Sequence, residues 1–246
     1  MVEGAIQAFV WAFLAASALL LGAVGGLVLN VSRTAVGLML AFGAGALFSA
    51  VAFELTVESF EEGGAELFAV GLAAGAVTYF AGNRWLQTRG SARTRATVKK
   101  RASEGHGLSI VLGAMLDGIP ESVVLGASLL GGGAVSPAFF AAVLLSNVPE
   151  GFSAAADLRA EGRSPRWILS LWLAVVLVSA ASAALAFLLI DVAGPGVPLI
   201  QAFAAGGLIT MLVDTMIPEA FEEGGDLAGL ITVLGFALAF LLSALT

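Results

Sequence analysis

The chain has 246 residues, 59% of them hydrophobic and 12% charged, with a formal net charge of −7 and a mean hydropathy of +0.99. A soluble domain carries about 25% charged residues, so a water-soluble globular fold is excluded. With no cysteine and one histidine, His106, disulfides, thiolate metal centres and imidazole clusters are excluded too.

The apolar residues fall into runs of about 20, the length at which a helix crosses a hydrocarbon core of about 30 Å. Eight spans follow, at 4–29, 35–58, 65–87, 106–131, 136–158, 167–190, 197–219 and 226–245. The first opens on Glu3 rather than a basic segment and is long for a signal sequence, so it is expected to be retained. The second carries Glu54 and Glu58 towards its end and runs into Glu61-Glu62-Gly63-Gly64. After the third comes a basic connection at about 88–105, which reads as a topology determinant rather than a nucleic-acid patch. The fourth span contains Asp117-Gly-Ile-Pro-Glu121 and the fifth Ser146-Asn147-Val-Pro-Glu150. The sixth contains no acid; the seventh holds Asp214 and ends at Glu219.

All eleven Lys and Arg residues fall on one side of such an arrangement. The positive-inside rule makes that side cytoplasmic and both termini extracytoplasmic. The reading is one transmembrane transporter domain over 1–246, an all-α, multi-pass protein of the cell membrane.

Residues 41–64 and 202–225 match at 11 of 24 positions, including the shared Phe-Glu-Glu-Gly-Gly. They belong to the second and seventh spans, which cross in opposite directions. Spans one to three therefore repeat as spans six to eight with inverted topology, and the paired Pro-Glu motifs of spans four and five complete a 3+2+3 order. Inverted repeats with interrupted central helices place a transporter's substrate near the midplane.

A carboxylate at a bilayer centre costs about 2.5–3.5 kcal/mol on insertion scales, so Asp117, Glu121 and Glu150 are expected to face a bundle interior or an aqueous path. Asp117 and Glu121 share a helix face, as do Ser146, Asn147 and Glu150. Pro120 and Pro149 each free a backbone carbonyl one turn back. An oxygen-rich set of this kind suits a divalent cation; protonated carboxyls bonded between helices are the plainer alternative. Asp214 and Glu54 stand either beside the path or near an interface. Glu58 and Glu219 sit one turn inside two acidic mouths, where they serve either a cation path or ordinary helix ends.

The paired motifs resemble those of the ZIP metal transporters, whose fourth and fifth spans carry His-Asn/Asp-x-Pro-Glu-Gly sequences. Span five here reads Ser146-Asn147-Val148-Pro149-Glu150-Gly151, span four Asp117-Gly118-Ile119-Pro120-Glu121-Ser122, and span seven ends in Met216-Ile217-Pro218-Glu219. The resemblance covers nearly the whole chain. It implies uptake of divalent metal toward the cytoplasm, zinc first, with Asp117, Glu121, Asn147 and Glu150 as ligands. Asp117 and Ser146 stand where the family's histidines would be, which makes this a histidine-poor variant and leaves manganese, iron and magnesium open beside zinc. The metal is cargo and no prosthetic group is expected. The expected partners are the bilayer and the ion, with no nucleic acid; a homodimer is one open state of assembly. A proton-coupled transporter of another solute and a non-transporting metal-binding membrane protein are the alternatives. An enzyme is not expected, since no Ser-His or His-rich constellation is present.

Overall fold

A computed structural model describes residues 1–94, 106–130, 133–190 and 196–245, with side chains outside 86–112. The basic connection of the sequence reading lies largely outside the described residues, as does the side chain of His106. Among the described residues the chain is helical and contains no strand. Five helical stretches are long and apolar enough to cross a membrane. The protein is an all-α, multi-pass membrane protein, and its surface agrees: Leu21, Val70, Val77, Leu230 and Val233 are exposed, while Glu121, Ser122, Ser146, Asn147 and Gln201 are buried.

The helices are α1 (Val2–Val28), α2 (Arg33–Ala50), α3 (Thr56–Thr94), α4 (His106–Ala127), α5 (Pro137–Ala160), α6 (Pro165–Leu189), α7 (Gly196–Met211), α8 (Ile217–Gly224) and α9 (Ala228–Leu245). Their starts follow from local chemistry. Ser32, Ser136 and Ser164 each accept a hydrogen bond from the backbone N–H three residues on. Pro137 and Pro165 then occupy the first helical turn, where a missing N–H costs nothing.

Two stretches depart from the expected spans. The second span does not end at residue 58: α2 passes through a π-helical turn, Val51–Leu55, directly into α3. The turn expected over Glu61–Gly64 shrinks to one residue, Gly64, at φ 74 and ψ 170. The seventh span behaves in the same way, with α7 running through a π turn, Leu212–Met216, into α8 and breaking at Gly225, at φ 66 and ψ −153. α3 also extends to Thr94, beyond the expected end of the third span.

The π turns and the breaks are each 161 residues apart, as Ala41 and Ala202 are. The two units lie head to tail. At one end Gly37 of α2 packs on Gly224 of α8. At the other, Ser59 of α3 donates to the carbonyl oxygen of Pro198 in α7 at 2.9 Å. Close backbone approaches recur at matched places. A Cβ on Gly45 would lie 1.9 Å from the Thr232 carbonyl oxygen, and one on Gly206 2.0 Å from that of Leu72. Small residues allow helices this close in a membrane, where packing rather than water drives association.

Candidate metal-ion site

α4 and α5 are each interrupted by an internal proline, Pro120 and Pro149. Around them lies a cavity of about 230 Å³. Asp117 and Glu121 enter it from α4, and Ser146, Glu150, Ser153 and Asp157 from α5. The last four recur at steps of four, three and four residues, which makes one stripe on one helix face. α6 contributes Trp172, α7 Met211, the following π turn Thr215, and α8 Glu219. Five carboxylates thus line one space, and Glu150 is within electrostatic reach of Asp117, Glu121 and Glu219.

Several contacts hold this lining. The Tyr79 hydroxyl on α3 donates to Asp117 Oδ1 at 2.8 Å. Ser153 Oγ donates to Glu219 Oε1 at 3.4 Å, the long end of the range. Thr215 spends its own hydroxyl on the Met211 carbonyl at 2.7 Å. The buried Trp172 Nε1 has no hydrogen-bond partner among the described residues. Towards the mouth, Arg33 bridges Asp157 at 3.0 Å and Glu223 at 3.1 Å. These ions are exposed at 73%, 48% and 14% respectively. The exposed Arg33–Asp157 pair contributes about 0–1 kcal/mol, so that pair shapes the rim more than it stabilises the fold.

The sequence-derived residues divide into three groups. Asp117, Glu121, Ser146, Glu150 and Glu219 share the cavity. Asn147 and Asp214 do not line it. Asn147 is buried, with Nδ2 donating to the Ala15 carbonyl of α1 at 3.3 Å, which uses the amide as a link between helices. Asp214 points outward from the π turn and is exposed, while its neighbour Thr215 takes the inward position. Glu54 and Glu58 belong to neither group; they lie towards the Gln201 end of the bundle, where Glu58 accepts a hydrogen bond from Gln201. The carbonyl that Pro149 frees, on Leu145, lies against Gly43 of α2. Tyr79, Ser153, Asp157 and Trp172 join the site without having been singled out from the sequence.

Among the described residues no group of three or more His, Cys, Asp or Glu side chains is drawn tightly enough together to hold a metal ion. The carboxylates line a space rather than close a cage. Chemically, the lining offers hard oxygen donors and a negative field that concentrates cations.

No protein-family model matches the chain. An Arabidopsis thaliana protein named "Putative zinc transporter" is 27% identical over 177 residues, 71% of this chain and 28% of that protein. The match therefore spans little more than a quarter of that protein's length.

Proposed function

We propose that the protein carries divalent metal cations, zinc first, across the membrane toward the cytoplasm. The ion passes through the cavity between the fourth and fifth spans, bound in turn by Asp117, Glu121, Ser146, Glu150 and Glu219. The observation that carries this reading is the convergence of acids from both Pro-Glu motifs on one cavity, which continues past Glu219 and Asp157 to an acidic rim. Carboxylates within electrostatic reach of one another repel, and a divalent ion offsets that repulsion. The similarity to a plant protein named as a zinc transporter supports the cargo class.

The proposed arrangement is eight spans in 3+2+3 order with the inverted relation between the first and last three. The matched π turns, the matched glycine breaks and the head-to-tail packing support it. With the basic residues inside, both termini lie outside and the cavity opens to the cytoplasm. The plasma membrane is the proposed location and ZIP-like transport the proposed class; no enzymatic step and no nucleic-acid partner enter it. A homodimer belongs to the same proposal only as an assembly state.

Proteoliposomes loaded with a zinc-responsive dye test the reading. Wild type is expected to admit zinc, and Glu121→Ala and Glu150→Ala to reduce the flux by about a hundredfold or more, the loss expected when ligands rather than their supports are removed. Flux equal to wild type in both variants would sink the site assignment. A second reading, proton-coupled transport of another solute, draws on the part-buried Tyr79–Asp117 hydrogen bond, since intramembrane acids also serve proton relays. Flux that needs a pH gradient and no metal would favour it.

A further inference from the structure

Gln201 lies at the opposite end of the bundle from the cavity mouth. It sits in α7, ten residues before the cavity-lining Met211, or roughly 15 Å along a helix axis. The side chain is 3% exposed. Its Nε2 donates to Glu58 Oε2 at 2.9 Å, joining α7 to the first turn of α3. A carboxylate at that distance requires the nitrogen, so the amide orientation is set and Oε1 is the atom left unbonded to Glu58. That Oε1 is buried and has no hydrogen-bond partner among the described residues. Glu54, one helical turn before Glu58 and within its electrostatic reach, likewise has a buried Oε2 without a partner.

Leaving a buried acceptor unsatisfied costs about 1–3 kcal/mol. Here two such acceptors of hard-ligand type belong to residues that both adjoin one carboxylate, Glu58, whose second oxygen completes the donors. Two carboxylates and an amide oxygen, with water in the remaining positions, form a set that suits a divalent cation. The place is not arbitrary: Glu58 occupies the position in the first unit that Glu219 occupies in the second, 161 residues on.

We infer that Glu54, Glu58 and Gln201 form a second, outer station that binds the divalent cation at the far end of the path, with the Gln201 amide as a ligand. There the ion exchanges part of its hydration shell for protein oxygens before the bundle admits it to the cavity. The cargo and the path rest on the proposed function; the binding itself does not require flux.

Zinc alone, titrated by equilibrium dialysis against the full chain in nanodiscs, tests the station. Glu58→Gln and Gln201→Leu are each expected to lower bound zinc by about one ion per chain. In proteoliposomes the same variants should raise KM for zinc supplied outside by about tenfold, with kcat changed less than about twofold. Gln201→Glu, which restores an oxygen ligand, should keep the bound ion. Zinc stoichiometry and KM unchanged in Glu58→Gln and Gln201→Leu would overturn the station, as would loss of the ion in Gln201→Glu as well, since that pattern marks a folding defect rather than a lost ligand. The paired change Glu121→Gln with Glu150→Gln should abolish flux and leave the outer ion bound. A wild type that conducts no zinc yet loses an outer ion in Gln201→Leu would overturn transport and leave the station standing.

Discussion

Asp117 shares its carboxylate between two tasks. Oδ1 accepts from the Tyr79 hydroxyl, while the side chain lines the cavity. A donor on one oxygen fixes the carboxylate's orientation and leaves the other oxygen for an ion, the role that outer hydrogen-bond partners play around metal ligands. Tyr79→Phe keeps the ring in its buried slot and removes only that donor. It is expected to weaken zinc affinity by about tenfold without lowering thermal stability by more than a few degrees. Calorimetric zinc titration beside a melting curve reads both, and unchanged affinity would reduce Tyr79 to packing. The two partners were not equally visible in the sequence. An acid in an apolar run announces itself by its insertion cost; a lone aromatic such as Tyr79 or Trp172 does not, because apolar helices are where aromatics belong. Asn147 shows the converse. It shares the Pro-Glu motif with Glu150, yet its buried amide donates to Ala15 of α1. Position within a motif fixes spacing, and packing against a neighbouring helix decides what the side chain touches.

At the scale of the element, register explains the other displaced residue. A π turn inserts one extra residue into the helical ladder, which rotates everything after it. Asp214 sits in such a turn and points outward, and Thr215 takes the inward place beside Met211. A plain helical period carried through residues 197–219 has no means of registering that shift. The glycines of the breaks, by contrast, were legible in Glu-Glu-Gly-Gly, although the helices run on past the expected span ends at 58 and 219 to reach them. Gly64 and Gly225 adopt a positive φ with extended ψ, a region essentially closed to side-chain-bearing residues. Substitution there and at the close approaches should separate cleanly from substitution in open space. Gly64→Ala is expected to cost about 1–3 kcal/mol, and Gly206→Val about 1–3 kcal/mol or more, since its first added carbon meets the Leu72 carbonyl. Gly229→Ala, where a Cβ would meet nothing within 4 Å, should stay within about 0.5 kcal/mol. Detergent-solubilised melting curves rank the three, and a Gly229→Ala as damaging as Gly206→Val would contradict the packing described.

Across the whole molecule, the repeat makes each end a counterpart of the other. Where Gly37 meets Gly224 at the Glu219 end, Pro198 meets Gly63 at the Gln201 end, at the same offset. The two ends nevertheless differ in what they hold open. The Glu219 end leads into the cavity past Ser153 and Glu219, while at the Gln201 end Ser59 is fully buried and bonded to Pro198. Two matched halves in unequal states are what alternating access requires, since exchanging their conformations opens one mouth as it closes the other. If so, holding the Glu219 mouth open must lower the population with the Gln201 mouth open. The chain has no cysteine, so single thiols can be placed without removing any. Ser153→Cys is expected to react readily with a water-soluble maleimide, and Ser59→Cys slowly. In the doubly substituted protein, a bulky maleimide first fixed at position 153 should slow reaction at position 59 by about tenfold, the mark of a two-state element shifted by about 1.4 kcal/mol. Equal rates at position 59 with and without that block would mean that the two mouths open independently, and the path would then be a pore lined by carboxylates rather than a carrier that alternates.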